Sequence, residues 1–109
     1  MYKRNLFNKI NRLLSSFPAV VILGARQTGK TTLAKLVASD WQYFDLEKIS
    51  DYDFIDRDRE FFFSQNPNHL ILDEAQIYPK LFDTLRGVID ADREKTGRFI
   101  LTGSSSPEL

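Results

Sequence analysis

Apolar positions along this 109-residue chain follow two rhythms, one helical and one extended. Leu6, Phe7, Ile10, Leu13 and Leu14 share one face at helical spacing, so residues from about 3 to 16 are predicted to form an amphipathic helix that stops before Pro18 and covers a sheet. Ala19-Val20-Val21-Ile22-Leu23 is a continuous apolar run of β type, and Thr32 to Ala38 reads as a helix. Trp41-Gln42-Tyr43-Phe44-Asp45-Leu46 is aromatic and β-prone, a second strand with Asp45 and Glu47 near its end. From Asp51 to Phe63 the pattern blurs into a loop followed by a helix that ends near Asn66-Pro67. Its three consecutive phenylalanines are read as core packing rather than a base-stacking platform.

Leu70-Ile71-Leu72 has the unbroken apolar character of a strand buried on both faces, which is how parallel sheets read. Pro79 can open a helix whose stripe is Leu81, Phe82, Leu85, Val88 and Ile89, with Gly97 as its stop, and Arg98 to Leu101 begins a last strand. Strands alternating with helices predict a single α/β domain: a parallel sheet between two helical layers, joined by right-handed crossovers. No internal repeat or low-complexity linker interrupts it.

The loop between the first strand and its helix carries the chemistry. Gly24-Ala25-Arg26-Gln27-Thr28-Gly29-Lys30-Thr31 is a complete match to the phosphate-cradling pattern G-x-x-x-x-G-K-[ST], in the strand-loop-helix setting that the pattern requires. Glycines let successive backbone N–H groups turn inward as an anion nest, and the helix start adds unpaired donors and its dipole. Lys30 then supplies a charge to the β- and γ-phosphates of a nucleoside triphosphate, and the Thr31 hydroxyl is a ligand for Mg²⁺. A surface turn that happens to hold Gly and Lys is the bland alternative, and the flanking strand and helix weigh against it.

Hydrolysis also needs a metal-orienting carboxylate and a group that activates water. Asp73 and Glu74, at the carboxyl end of the Leu70-Ile71-Leu72 strand, fit these roles: Asp73 to hold Mg²⁺ through water, Glu74 to polarise the attacking water. A third strand end, Leu101-Thr102-Gly103-Ser104-Ser105-Ser106, brings hydroxyls to the same edge, where ligands of open α/β sheets bind. Thr102 or Ser104 could hydrogen-bond the γ-phosphate or the water, and equally the tract could be ordinary loop material.

Composition narrows the partners. Lys plus Arg total 15 and so do Asp plus Glu, so no net charge marks the chain for nucleic acid. The basic positions Lys3, Arg4, Lys9 and Arg12 are accounted for by a solvated helix face. No stretch approaches the roughly 20 apolar residues of a membrane span, and the amino terminus lacks the apolar core of a secretion signal, so a cytoplasmic location is expected. With no cysteine there are no disulfides or thiolate sites, and the single His69 cannot build a histidine metal centre alone.

With the phosphate loop, the Leu72-Asp73-Glu74-Ala75-Gln76 strand end and the Leu101-Thr102-Gly103-Ser104-Ser105 strand end in this order, the chain resembles the AAA+ superfamily of P-loop ATPases. It is closest to a prokaryotic subgroup whose loop reads like Gly24 to Leu33, Arg26 included. The resemblance spans nearly the whole chain and implies a three-layer P-loop fold that binds ATP and Mg²⁺. By it, Gly24, Ala25, Arg26, Gln27, Thr28, Gly29, Lys30, Thr31 and Thr32 form the Walker A loop, Asp73 and Glu74 the Walker B pair, and Thr102 or Ser104 the sensor 1 position. Members of the subgroup continue past the sensor strand into a fifth strand, a helical lid and a further domain, whereas this chain stops at Leu109. Residues 1–109 are therefore expected to be the amino-terminal part of an ATP-binding domain, without its arginine finger and second sensor. Such an arginine is worth roughly 10³ to 10⁵ in rate, so slow turnover is expected. In the family's strand order the first strand then becomes an apolar edge, open to a second copy or a partner domain.

Other classes fit less well. A helicase reading of Asp73-Glu74-Ala75-Gln76 meets Gln27 where such loops usually carry glycine, and lacks a second motor domain. A nucleotide kinase would need an arginine-rich lid, and guanine recognition would need an Asn-Lys-x-Asp pattern that is absent. A nucleotide-sensing binding module without meaningful catalysis remains the alternative to an ATPase.

Overall fold

In the computed structural model, which describes residues 2–26 and 28–104, four parallel strands form one sheet in the order β1-β4-β3-β2. The chain runs α1 (Tyr2–Ser16), β1 (Ala19–Gly24), α2 (Lys30–Val37), β2 (Gln42–Asp45), α3 (Ile49–Asp56), α4 (Arg59–Gln65), β3 (Leu70–Asp73), α5 (Pro79–Asp90) and β4 (Phe99–Ser104), with a short 3-10 turn at Ala75–Ile77. This is the predicted three-layer α/β architecture. Each strand alternates its side chains between two helical layers, which is why the central strands are apolar throughout. Val20, Ile71 and Ile100 pack against Ile10 and Leu14 of α1 and Leu33 and Ala34 of α2. Leu70, Leu72, Phe99 and Leu101 face Ile55, Phe62, Leu81 and Leu85 from α3, α4 and α5.

The central strands β3 and β4 are buried almost end to end, whereas β1 lies at a sheet edge with Val21 54% and Leu23 67% exposed. That edge position agrees with the expectation from the strand order.

Three local features depart from the sequence reading. The segment after Asp51 is not a loop and a helix but two short helices, separated at Asp58, whose carboxylate accepts from the Phe61 N–H at 3.0 Å and caps α4. Phe62 and Phe63 enter the core as expected, but Phe61 is 61% exposed. The last long helix ends at Asp90, well before Gly97. Gly97, with φ +64, instead makes the turn into β4, its N–H donating to Phe17 O at 2.9 Å. His69 packs its ring 5.0 Å from that of Trp41.

A half-buried polar knot ties α5 to the α3–α4 junction. Tyr78, fully buried, donates to Asp56 Oδ1 at 2.7 Å, while Arg59 donates to that same oxygen at 3.0 Å and to Thr84 Oγ1 at 2.9 Å. Burial, and then the bond to Asp56, push the Tyr78 phenol up to about 12 from an ordinary 10.0. The folded protein therefore keeps a proton that the unfolded chain releases, so stability is intact below pH 10 and falls as the pH rises towards about 12. The loss is on the order of 3 kcal/mol at about 1.4 kcal/mol per unit. Urea midpoints followed across this range should decline, and Tyr78→Phe should make the decline shallower; an equally steep decline in the variant would refute the assignment.

Candidate functional site

The carboxyl ends of β1, β3, β4 and β2 converge on the start of α2, and the residues there are placed by strand periodicity. On β3, Asp73 shares a face with Ile71, and on β4, Thr102 and Ser104 share a face with Ile100; this is the face covered by α2. The sequence thus delivers the acids and the hydroxyls to one side of the sheet.

β1 ends at Gly24, and Lys30 opens α2 with Gly29 as its N-cap at φ +89, ψ 14. This left-handed conformation is open to glycine without strain, which accounts for the second glycine of the pattern. Between them the loop folds back on the Ala25 carbonyl, which accepts from Thr28 Oγ1 at 2.8 Å and from Lys30 Nζ at 2.7 Å. Lys30 is only 7% exposed. A Cβ at Gly24 would sit 3.4 Å from Thr28 Oγ1 and 3.5 Å from Lys30 Cδ, at ordinary contact distance, so this position lies directly against the two loop side chains. A cleft of about 280 Å³ adjoins it, bordered by Leu6, Ile22, Gly24, Thr28, Lys30 and Leu33. Ala25 and Thr32 are exposed, and Gln27 lies outside the described residues.

Asp73 is 5% exposed, and none of the ion pairs among the described residues involves it. Three hydroxyls satisfy it instead. Thr31 Oγ1 lies 3.0 Å from both carboxylate oxygens, Thr102 Oγ1 donates to Oδ1, and the Tyr43 hydroxyl donates to Oδ2. The Tyr43 phenol is raised well above its ordinary value, first by burial and then by the bond to Asp73 and its charge. A buried carboxylate usually has a cationic partner or a metal. Oxygen donors from a hydroxyl and a carboxylate suit a hard divalent ion such as Mg²⁺, which takes one or two protein ligands and completes its shell with water and phosphate. Among the described residues no group of three His, Cys, Asp or Glu side chains forms a metal cage.

Glu74 follows in the left-handed region at φ 58, ψ 49, which is strained for a residue with a side chain. Its N–H donates to Thr102 Oγ1 at 3.0 Å, holding the turn. Adjacent strand residues would point to opposite faces, and this turn keeps both acids near the end of β4. The Glu74 carboxylate accepts from Ser104 Oγ at 2.9 and 3.1 Å and from Gln76 Nε2 at 2.9 Å, while Gln76 Oε1 accepts from the Ser104 N–H at 3.3 Å. Thr102, 1% exposed, meets Asp73 and the Glu74 backbone, so the two hydroxyls of β4 divide between the two acids.

One contributor escaped the sequence reading of the site, and a second has a contact that reading did not foresee. Tyr43 reaches Asp73 from β2, where it is paired with Ile71, so the phenol extends diagonally along the sheet. Arg26, assigned to the phosphate loop by resemblance, pairs with Glu47 Oε2 at 2.5 Å and links the loop to the end of β2. Both partners of that pair are substantially exposed, so it orders the loop more than it stabilises the fold.

The profile of a family described as "AAA domain" matches residues 16–109. An uncharacterized protein of Mycobacterium tuberculosis and one of Mycobacterium bovis are each 35% identical over 109 residues, covering 98% of this chain and 24% of the relative. The chain thus spans about a quarter of the length of these curated relatives.

Proposed function

On the premise that this chain belongs to the AAA domain family, we propose that it binds ATP with Mg²⁺ and hydrolyses it slowly, as the amino-terminal part of a larger ATP-binding domain. The observation that carries this reading is the buried Asp73 carboxylate, free of any ion pair among the described residues and 3.0 Å from Thr31 Oγ1 beside the glycine loop. Main-chain donors at the start of α2 and the Lys30 ammonium hold the phosphates. Gly24, Ala25, Arg26, Gln27, Thr28, Gly29 and Thr32 shape the rest of the loop, and Thr31 and Asp73 hold the metal. Bound Mg²⁺ supplies charge neutralisation at the phosphates. Glu74 orients and polarises the attacking water, while Thr102 and Ser104 fix the two acids. No helix of the described residues is long and apolar enough to cross a membrane.

A second reading, a nucleotide-sensing module with negligible catalysis, is favoured by one specific observation. The Glu74 carboxylate already accepts from Ser104 and Gln76, which competes with any bond to water. A binding isotherm for ATP with Mg²⁺, set beside phosphate release from the same sample, separates the two. Binding with slow release supports the ATPase, binding without release supports the sensor, and no binding sinks both. The exposed β1 edge is the surface assigned to a second copy or a partner domain, and a concentration-independent monomer mass by light scattering on those samples would rule out the second copy.

A further inference from the structure

The site holds one more residue that the loop and strand-end motifs do not account for. Asp73 is gripped on both flanks: Thr102 of β4 donates to Oδ1 and Tyr43 of β2 donates to Oδ2, so the carboxylate cannot rotate without breaking one of the two bonds. Tyr43 is itself held. The Lys35 ammonium lies 4.0 Å from the centre of its ring, and Lys35 stands one helical turn after Thr31, on the same face of α2. One helix face thus touches Asp73 directly through Thr31 and indirectly through Lys35 and Tyr43.

We propose that Tyr43 is a positioning residue for Asp73, its hydroxyl setting the carboxylate's orientation and hence the affinity of the site for a divalent cation, with Lys35 steadying the ring. The proposal rests on the ATP and Mg²⁺ reading above. A ring needed only for packing would serve equally well as phenylalanine, because Tyr43 also belongs to the apolar cluster between the sheet and α2. The hydroxyl is the part that packing does not explain.

Tyr43→Phe tests this, since it keeps the ring and removes the bond. The 109-residue chain is titrated with MgCl₂ at a fixed concentration of a fluorescent ATP analogue, and the analogue's affinity is measured separately in EDTA. Outer-shell partners of metal ligands are typically worth about 10- to 100-fold in metal affinity. The Mg²⁺ midpoint of Tyr43→Phe should therefore rise by about tenfold or more, with the affinity in EDTA unchanged because Lys30 and the loop are untouched. An unchanged midpoint overturns the proposal, and so does a parallel loss in both arms, which marks a merely structural role. If wild-type protein binds no analogue in either arm, the ATP reading falls and this inference falls with it. Should Tyr43→Phe fail to fold, Lys35→Gln at an exposed position reads the same quantity. A rise of about two- to fivefold in the Mg²⁺ midpoint, the scale of a surface cation–π contact, supports the proposal, and no rise overturns it.

Discussion

Lys30→Ala should abolish measurable ATP binding, weakening it by about a hundredfold or more, while leaving the fold nearly intact. The Lys30 ammonium is held within the loop by its bond to the Ala25 carbonyl, and the side chain is 7% exposed. A charge-assisted bond to phosphate made from so dry a position is worth roughly 1.5 to 3 kcal/mol, and in the proposed site the ammonium serves two phosphates at once. The cost to stability is far smaller. Ala25 O keeps the Thr28 hydroxyl at 2.8 Å as a donor, so no carbonyl is orphaned, and alanine is a good helix former at the first position of α2. Isothermal titration with ATP and Mg²⁺, alongside a thermal melt, checks both halves. Retained binding at near wild-type strength would mean that the glycine loop does not hold the phosphates.

Much of this site was legible from residue order because its parts are governed by short-range rules. Gly24, Gly29 and Lys30 sit at fixed offsets between a strand and a helix, and Asp73 and Glu74 end a run of apolar residues too short and too dry to be anything but a central strand. What could not be read depends on register between strands distant in sequence. That Tyr43 stands beside Ile71, and so within a phenol's reach of Asp73, follows from the β2–β3 pairing and not from any local pattern. The same holds for Arg26 and Glu47, which meet only because β2 ends near the loop. At the element level, the misread helix stop at Gly97 has a physical cause: glycine marks a left-handed residue, and here that residue belongs to the approach to β4 instead of to a helix cap. Likewise the Asp-rich segment hid two helices because Asp58 works as an N-cap in mid-segment, a role that composition alone does not separate from a loop.

Glu74→Gln should spare ATP binding and remove hydrolysis, lowering the release rate by roughly 10² to 10⁴, the range for loss of a positioned general base. The substitution is nearly isosteric and does not disturb what holds position 74 in place. The left-handed turn is fixed by the backbone bond from Glu74 N–H to Thr102 Oγ1, which the amide side chain leaves untouched. Glutamine can still accept from Ser104 or from Gln76 through its oxygen, so the local network loosens without collapsing. What it lacks is the negative charge that draws a proton from water, and Asp73, bound to Thr31, Tyr43 and Thr102 and buried, is committed elsewhere. Binding should remain within about threefold of wild type, because in the proposed site the phosphates contact Lys30 and the loop and not position 74; a threefold change is about 0.6 kcal/mol. Phosphate release at saturating ATP with Mg²⁺, read against the binding isotherm of the same variant, decides the matter. Undiminished release would remove Glu74 from the chemistry and leave water activation to the metal site alone, whereas loss of both binding and release would show that the Glu74–Ser104–Gln76 network shapes the nucleotide pocket itself.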